Sequence, residues 1–354
     1  MIVGKGETQM VKMVRVVVLL LLAAVAAQAR PKSLFYMTRN PDSVRSFLEH
    51  ADKIDIIVPT WYTVDGNGLV WGGPNPLVLK AAKEHHVPVM PIVSAAGFGI
   101  KEFHAFLHND AARKAFADAL PTECKRNGYS GFQIDFEHLS WTDRDALSSL
   151  VAQTAAALHR HGYQLSIATS AAAPGHPGQT DYSYWSYRDW LGVFDLGALA
   201  KSVDLICLMT YDQHGLHTPP GPVAGYPWVV ENLDFALKSV PKDKLALGIA
   251  LYGKHWHAGM PIDDKANVAV DYISEPDAMQ LAQANDAKIQ WDPVDRASWF
   301  FFYRDYKREW VFFTDVQTFK ARYDLVNERG LQGFCAWVLG TEDPGIWKLL
   351  PSHK

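Results

Sequence analysis

The segment Gly131-Phe-Gln-Ile-Asp-Phe-Glu137 sets Gln133, Asp135 and Glu137 at alternate positions of an apolar run. In an extended strand that spacing turns all three side chains to one face. A carboxylate facing an apolar interior is costly without partners, and carboxylates with perturbed titration gather at functional sites. Three further runs end on groups of the same kind: Met209-Thr-Tyr211-Asp212, Tyr252 and Trp337. A satisfied internal hydrogen-bond network is the structural alternative for Asp135 and Asp212, as core packing is for Trp337.

Eight short apolar runs carry these residues: 33–38, 55–62, 87–94, 131–137, 165–170, 205–211, 245–252 and 333–339. Each is near-continuously hydrophobic, which suits strands covered on both faces of a parallel sheet. Helical patterns alternate with them at 76–85, 110–127, 142–161, 231–240 and 314–329. Asp110 and Thr142 are candidate caps, Thr142 with Asp145 as a capping-box carboxylate. Asn127-Gly128, His161-Gly162 and Arg329-Gly330 are the expected helix stops. Strands alternating with helices predict an α/β fold, a (β/α)8 TIM barrel. In such a barrel the strand ends converge at one rim, so the polar residues above share a location. Residues 254–310 interrupt the rhythm between strands 7 and 8. They predict a small α+β lobe on that rim, with a helix at 275–285 and strands near 288–291, 298–303 and 310–313.

The bulk numbers agree with one large core: 48% of the 354 residues are hydrophobic and 20% charged. A net charge of −4 gives no basic excess, so no nucleic-acid partner is expected. The 12 Trp, 14 Tyr and 17 Phe serve a core or a sugar-stacking cleft equally well. At the amino terminus, Lys5, Lys12 and Arg15 precede the apolar run 16–27 and the small-x-small triplet Ala27-Gln28-Ala29. Residues 1–29 therefore read as a signal peptide cleaved after Ala29, with Met10 and Met13 as alternative starts. The mature barrel, 30–354, is expected to be secreted or periplasmic, with no stable membrane span after cleavage, and a monomer. Cys124, Cys207 and Cys335 are an odd count, and Cys207 and Cys335 lie in strand-like runs where a buried free thiol is expected. They are too scattered for a metal site, and His85-His86 reads as a helix end.

Ser130-Gly-Phe-Gln-Ile-Asp-Phe-Glu137 resembles the DGxDxDxE signature of glycoside hydrolase family 18, the chitinases and related N-acetylglucosaminidases. Met209-Thr-Tyr211-Asp212 resembles that family's MxYD motif, and Trp337 its floor tryptophan. Trp61-Tyr62-Thr63-Val64-Asp65, the phrase Lys288-Ile-Gln-Trp-Asp292 and the ending 330–347 resemble the bacterial spore-cortex and cell-wall glucosaminidase branch. The resemblance spans almost the whole mature chain. It departs at Ser130 and Gln133, where the family usually has aspartates, and so puts the level of activity in question.

The resemblance implies retaining, substrate-assisted cleavage of β-1,4 bonds next to N-acetylglucosamine in peptidoglycan or chitin-type oligosaccharides. Glu137 would be the acid, Asp135 would hold the substrate acetamido group from one side and Tyr211 from the other. Gln133, Asp212, Tyr252, Trp337, Tyr62 and Trp61 would bind substrate, with Asp65 as a further cleft candidate. No metal or cofactor is implied. A catalytically weak, lectin-like carbohydrate-binding protein on the same scaffold is the alternative, with Gln133 its main support.

Overall fold

The computed structural model describes residues 30–353 apart from residues 96 and 263–264. The expected signal peptide, its cleavage point and the alternative starts lie outside the described residues. In chain order the strands are β1 (Lys32–Met37), β2 (Ile56–Pro59), β3 (Tyr62–Val64), β4 (Val70–Gly72), β5 (Ile92–Ser94), β6 (Gly131–Asp135), β7 (Gln164–Ser170), β8 (Leu205–Met209), β9 (Leu245–Ala250), β10 (Gly253–Ile262), β11 (Lys265–Ile273), β12 (Gln290–Asp292), β13 (Ala297–Arg304), β14 (Lys307–Phe313) and β15 (Gly333–Trp337).

Parallel pairing runs from β2 through β1, β15, β9, β8, β7 and β6 to β5. The ring closes because β3 pairs in parallel with β5 and Ile57 of β2 bridges Val89, just ahead of β5. This is the expected (β/α)8 barrel, with β2 and β3 together acting as its second strand. The break between them follows from Pro59, which has no N–H for the ladder, and from Thr60, whose N–H turns to Met37 O at 2.9 Å.

Two helix starts fall elsewhere than expected. Asn109, not Asp110, accepts from the Ala111 and Ala112 N–H groups ahead of the helix Asp110–Asn127. At the next start the capping side chain is Ser140, not Thr142: it accepts from Thr142 N–H at the head of the short turn Trp141–Asp143, which runs into Arg144–His159, a helix without a side-chain cap of its own. In both cases a side chain one or two residues earlier has the extended backbone a cap needs. Gly128 and Gly330 end their helices at φ 72° and 62°, in the left-handed region that glycine enters without strain.

The helices cover the outer barrel face, while Leu34, Ile56, Met90, Ile92 and Ala246 fill its interior. Cys207 and Cys335 belong to that interior, and they form a disulfide with their Cα atoms 6.1 Å apart. The expectation of free thiols at these positions is therefore wrong. The physical reason lies in the barrel: inward side chains from alternate strands share one layer. Positions on β8 and β15 therefore meet although 128 residues separate them. Cys124 remains a buried free thiol.

The insertion folds as an antiparallel sheet in the order β11-β10-β14-β13-β12. One face buries Phe300, Phe302, Val311 and Phe313 against Ala278 and Ala282 of the helix Glu275–Ala284. On the other face Trp299 stacks with Trp310 and Phe312, centroids 5.7 and 5.8 Å away. The hairpin β10–β11 has no counterpart among the expected lobe strands: the sequence of β10 is polar and interrupted by Gly259 and Pro261, whereas that of β11 sets Val268, Val270 and Tyr272 at alternate positions and was legible as a strand. Arg322, 3% exposed, ties barrel to lobe by donating to the carbonyls of Ala224, Asp295 and Arg296. Burial lowers its pKa to about 10, which still leaves it charged at neutral pH.

Candidate active site

The rim ends of β6, β8 and β15 converge on one cavity, which Asp135, Glu137, Tyr211, Asp212 and Trp337 line. Tyr36 joins them from β1, its ring 5.3 Å from that of Trp337. Glu137 stands just past the end of β6, on backbone that the extended strand hands to a left-handed His138 at φ 60°. Phe136, between the two carboxylates, faces outward and packs on Phe103 with centroids 5.5 Å apart. That outward anchor fixes which way its neighbours point.

Burial disfavours the ionised form of both carboxyl groups. Burial raises Asp135 to about 6, and its Oδ1 has no hydrogen-bond partner among the described residues. Burial raises Glu137 to about 7, and the charges of Asp135 and Asp212 add to the shift. A carboxyl group with a pKa near the working pH can give a proton and take one back. The Tyr211 phenol is pushed well above its ordinary value by burial, then by Tyr36, Asp135, Glu137 and Asp212, so it stays a donor. The site thus offers an acid, a second carboxyl beneath it, a fixed phenol donor and an indole face.

Asp212 is held rather than free. Its Oδ1 accepts from Tyr252 Oη at 2.7 Å and pairs with Lys254 Nζ at 2.6 Å. From the lobe, Tyr272 on β11 brings its hydroxyl to Oδ2 at 3.5 Å. Asp212 itself sits at φ 61°, in backbone that a non-glycine residue adopts at some cost. Such strain is a recurrent mark of functional positions.

A sequence profile described as Glycosyl hydrolases family 18 matches residues 32–342. The chain belongs to this family. It is an enzyme, a glycoside hydrolase. Over 250 residues it is 29% identical to the cortical fragment-lytic enzyme of Bacillus subtilis, covering 69% of this chain and 54% of that relative. It therefore spans about half the length of that protein. Among solved structures, the spore cortex-lytic enzyme SleL of Bacillus megaterium superposes with a TM-score of 0.78 at 22% identity, over 90% of this chain and 73% of that one. A chitinase of Chromobacterium violaceum gives 0.79 at 23%, over 90% and 97%. Both likenesses are of fold.

Within this family scaffold the expected site residues divide into three groups. Glu137, Asp135, Tyr211, Asp212 and Trp337 are brought together at the cavity. Gln133 and Tyr252 lie behind it. Gln133 is fully buried and donates through Nε2 to Ser166 Oγ at 2.9 Å and to Cys207 Sγ at 3.2 Å. Tyr252 spends its hydroxyl on Asp212. Trp61 and Tyr62 sit elsewhere. Tyr62 Oη meets Tyr129 Oη at 3.0 Å and Glu123 Oε2 at 3.1 Å, under the helix Asp110–Asn127, and Trp61 packs near Tyr129. Asp65 closes its own loop, accepting from the Asn67 and Leu69 N–H groups. The second strand's outward-facing aromatics mimic a cleft motif in the sequence because the break after Pro59 resets the alternation.

Tyr36, His138, Trp190, Lys254 and Tyr272 are among the contributors that escaped the sequence. Trp190 enters the cavity from the loop after β7, with His138 against its ring at 4.1 Å. Tyr36 was legible in principle, as an inward position near the end of β1. Tyr272 lies in the alternating series Val268, Val270, Tyr272, but its approach to Asp212 depends on how the lobe folds back on the rim.

Proposed function

We propose that this glycoside hydrolase is exported and cleaves β-1,4 bonds next to N-acetylglucosamine in peptidoglycan, with chitin-type oligosaccharides as its second substrate. The observation that carries the chemistry is the meeting of Glu137, Asp135, Tyr211 and Trp337 in one cavity at the barrel rim, where burial and the Asp135 charge raise the pKa of Glu137 to about 7. As a neutral acid, Glu137 protonates the glycosidic oxygen. The substrate's own 2-acetamido carbonyl attacks the anomeric carbon, and the leaving sugar departs with the proton. Asp135 accepts a hydrogen bond from the acetamido N–H and balances the developing positive charge. Tyr211 donates to the acetamido oxygen from the other side. Glu137, now ionised, takes a proton from the water that opens the intermediate, which gives net retention.

Trp337 offers a flat apolar floor to the pyranose ring, and Asp212, braced by Tyr252 and Lys254, faces its hydroxyls. Peptidoglycan is placed first because the 29%-identical relative is a cortical fragment-lytic enzyme. Export is supported by the leader-like amino terminus and by the Cys207–Cys335 disulfide, a bond that persists in oxidising compartments. The test compares wild type with Glu137→Gln on muropeptides and on a short chitooligosaccharide. Wild type releases new reducing ends with retained configuration, faster from muropeptides. Equal release by wild type and variant removes the assignment of Glu137, and faster turnover of the chitooligosaccharide reverses the substrate order.

A further inference from the structure

Away from that cavity, a second polar cluster joins two loops. His104 and His108 lie one helical turn apart at the end of the helix Ile100–Leu107, so both imidazoles project from one face. Asp143 comes from the turn after β6, ahead of the helix Arg144–His159. His104 Nδ1 is 2.7 Å from Asp143 Oδ1, and His108 Nε2 is 3.1 Å from the same oxygen. The two rings are 4.3 Å apart. One ligand atom from each residue falls within 4.8 Å of the others.

Two hydrogen-bonded histidines are an incomplete account of this cluster. Asp143 is 1% exposed, and its Oδ2 has no hydrogen-bond partner among the described residues. Both donors crowd one oxygen while the other is buried and unserved, which is unfavourable for a carboxylate. A cation bound by both imidazoles and chelated by both carboxylate oxygens would serve Oδ1 and Oδ2 alike. Tetrahedral zinc holds nitrogen and oxygen ligands at about 2.0–2.1 Å, which sets neighbouring ligand atoms roughly 3.3 Å apart. The two imidazole-to-carboxylate separations, 2.7 and 3.1 Å, fall short of that spacing by well under an ångström, an opening that half-exposed imidazoles can make. The donor set of two imidazoles and one carboxylate suits late first-row divalent ions and is poor for Mg2+ or Ca2+. The exposed side of the rings leaves a position for water.

We propose that His104, His108 and Asp143 form a binding site for a zinc-type divalent ion that ties the helix Ile100–Leu107 to the segment following Glu137. The tie has a direct structural object. Phe103 and Phe106 of that helix pack on Phe136, with centroids 5.5 and 6.3 Å away, and Phe136 immediately precedes the acid. An ion at the cluster would fasten both flanks of that packing: the helix through its histidines and the loop through Asp143.

The test uses tag-free full-length protein freed of metal by a chelator, titrated with Zn2+ in a calorimeter and melted with and without the ion. Wild type takes up one equivalent saturably, and its melting temperature rises by roughly 2–5 °C. His104→Asn/His108→Asn, on half-exposed side chains that leave the core intact, loses both effects. An absence of saturable uptake by wild type overturns the proposal. So does undiminished uptake by the double variant, which would assign the ion to other histidines such as His255 and His257. Equal stabilisation by Mg2+ would refute the nitrogen-donor site. All these readouts are independent of glycoside cleavage, so they stand whatever the substrate proves to be.

Discussion

Two levels of one barrel interior are built by the same alternation and end in opposite states. At the lower level Gln133, Cys207 and Cys335 form an uncharged layer, with an amide donating to Ser166 and two sulfurs bonded to each other. One pleat higher on the same strand, Asp135 presents a carboxyl whose Oδ1 has no partner among the described residues, and Glu137 stands beyond it. Both levels are inward and largely dry. The lower one is knit by the Gln133 amide donation and the disulfide, with Gln133 Oε1 left without a partner among the described residues, whereas the upper one holds acids in an unfavourable setting and opens to a cavity. On the proposed function, stability rests on the first and chemistry on the second, the division expected between the inside of a TIM barrel and its carboxyl-end rim.

The largest effect that can break this division is at Glu137. Glu137→Gln keeps the shape and removes the proton, so kcat should fall by about 10³-fold or more, while the urea midpoint stays level or rises. A loss below about tenfold in steady-state kinetics would mean that the proton comes from elsewhere. Asp135→Asn should follow, with kcat down roughly 10²–10³-fold and KM changed much less. Its pH signature has a definite sign. The Asp135 charge helps to raise Glu137, so its removal moves the alkaline limb of kcat/KM to lower pH. The folded pKa of Asp135, about 6, lies above its unfolded value, so its contribution to stability is full below about pH 4 and is lost as pH rises through 6. Urea titrations of wild type and variant should therefore converge at low pH and separate across that window, with wild type losing more.

The lower level should respond in the other coin, stability without chemistry. Cys207→Ala/Cys335→Ala removes a cross-link spanning 128 residues and should cost about 2–4 kcal/mol by chemical denaturation. At a temperature where both proteins are folded, kcat should stay within a few-fold of wild type. A parallel collapse of kcat would show that the two levels are not separable.

The same division explains what the sequence made legible. Eight apolar runs and their intervening helices sufficed for the barrel, because strands covered on both faces leave an unbroken hydrophobic signature. The residues at the cavity were those whose strand position and polarity conflict: Asp135, Glu137, Tyr211 and Asp212. Contacts that depend on closure were not visible. Cys207 and Cys335 look like isolated thiols until the ring brings alternate strands into one layer, and Trp61 and Tyr62 look like cleft residues until Pro59 turns the chain. Tyr272 reaches Asp212 only through the return of a hairpin over the rim, which no local pattern specifies. Local alternation is written in the chain, whereas meetings across the barrel are set by strand order.

Gln133 stands on the boundary between the two levels, and Gln133→Asp gives the smallest and sharpest test. The substitution puts a third carboxyl under Asp135 and takes away the amide donation to Ser166 and Cys207. Burial keeps the new group largely neutral, yet even partial ionisation places negative charge below the other two acids. Like charges raise one another's pKa, so the alkaline limb of kcat/KM should move upward, by less than about one pH unit, with a small drop in melting temperature. Asp135→Asn moves the same limb downward, so opposite shifts in the two variants would establish that charge beneath the acid sets its working pH. A pH profile unchanged by Gln133→Asp, with the melting temperature still lowered, would assign position 133 wholly to the closed layer and leave Asp135 as the lowest residue that the acid senses.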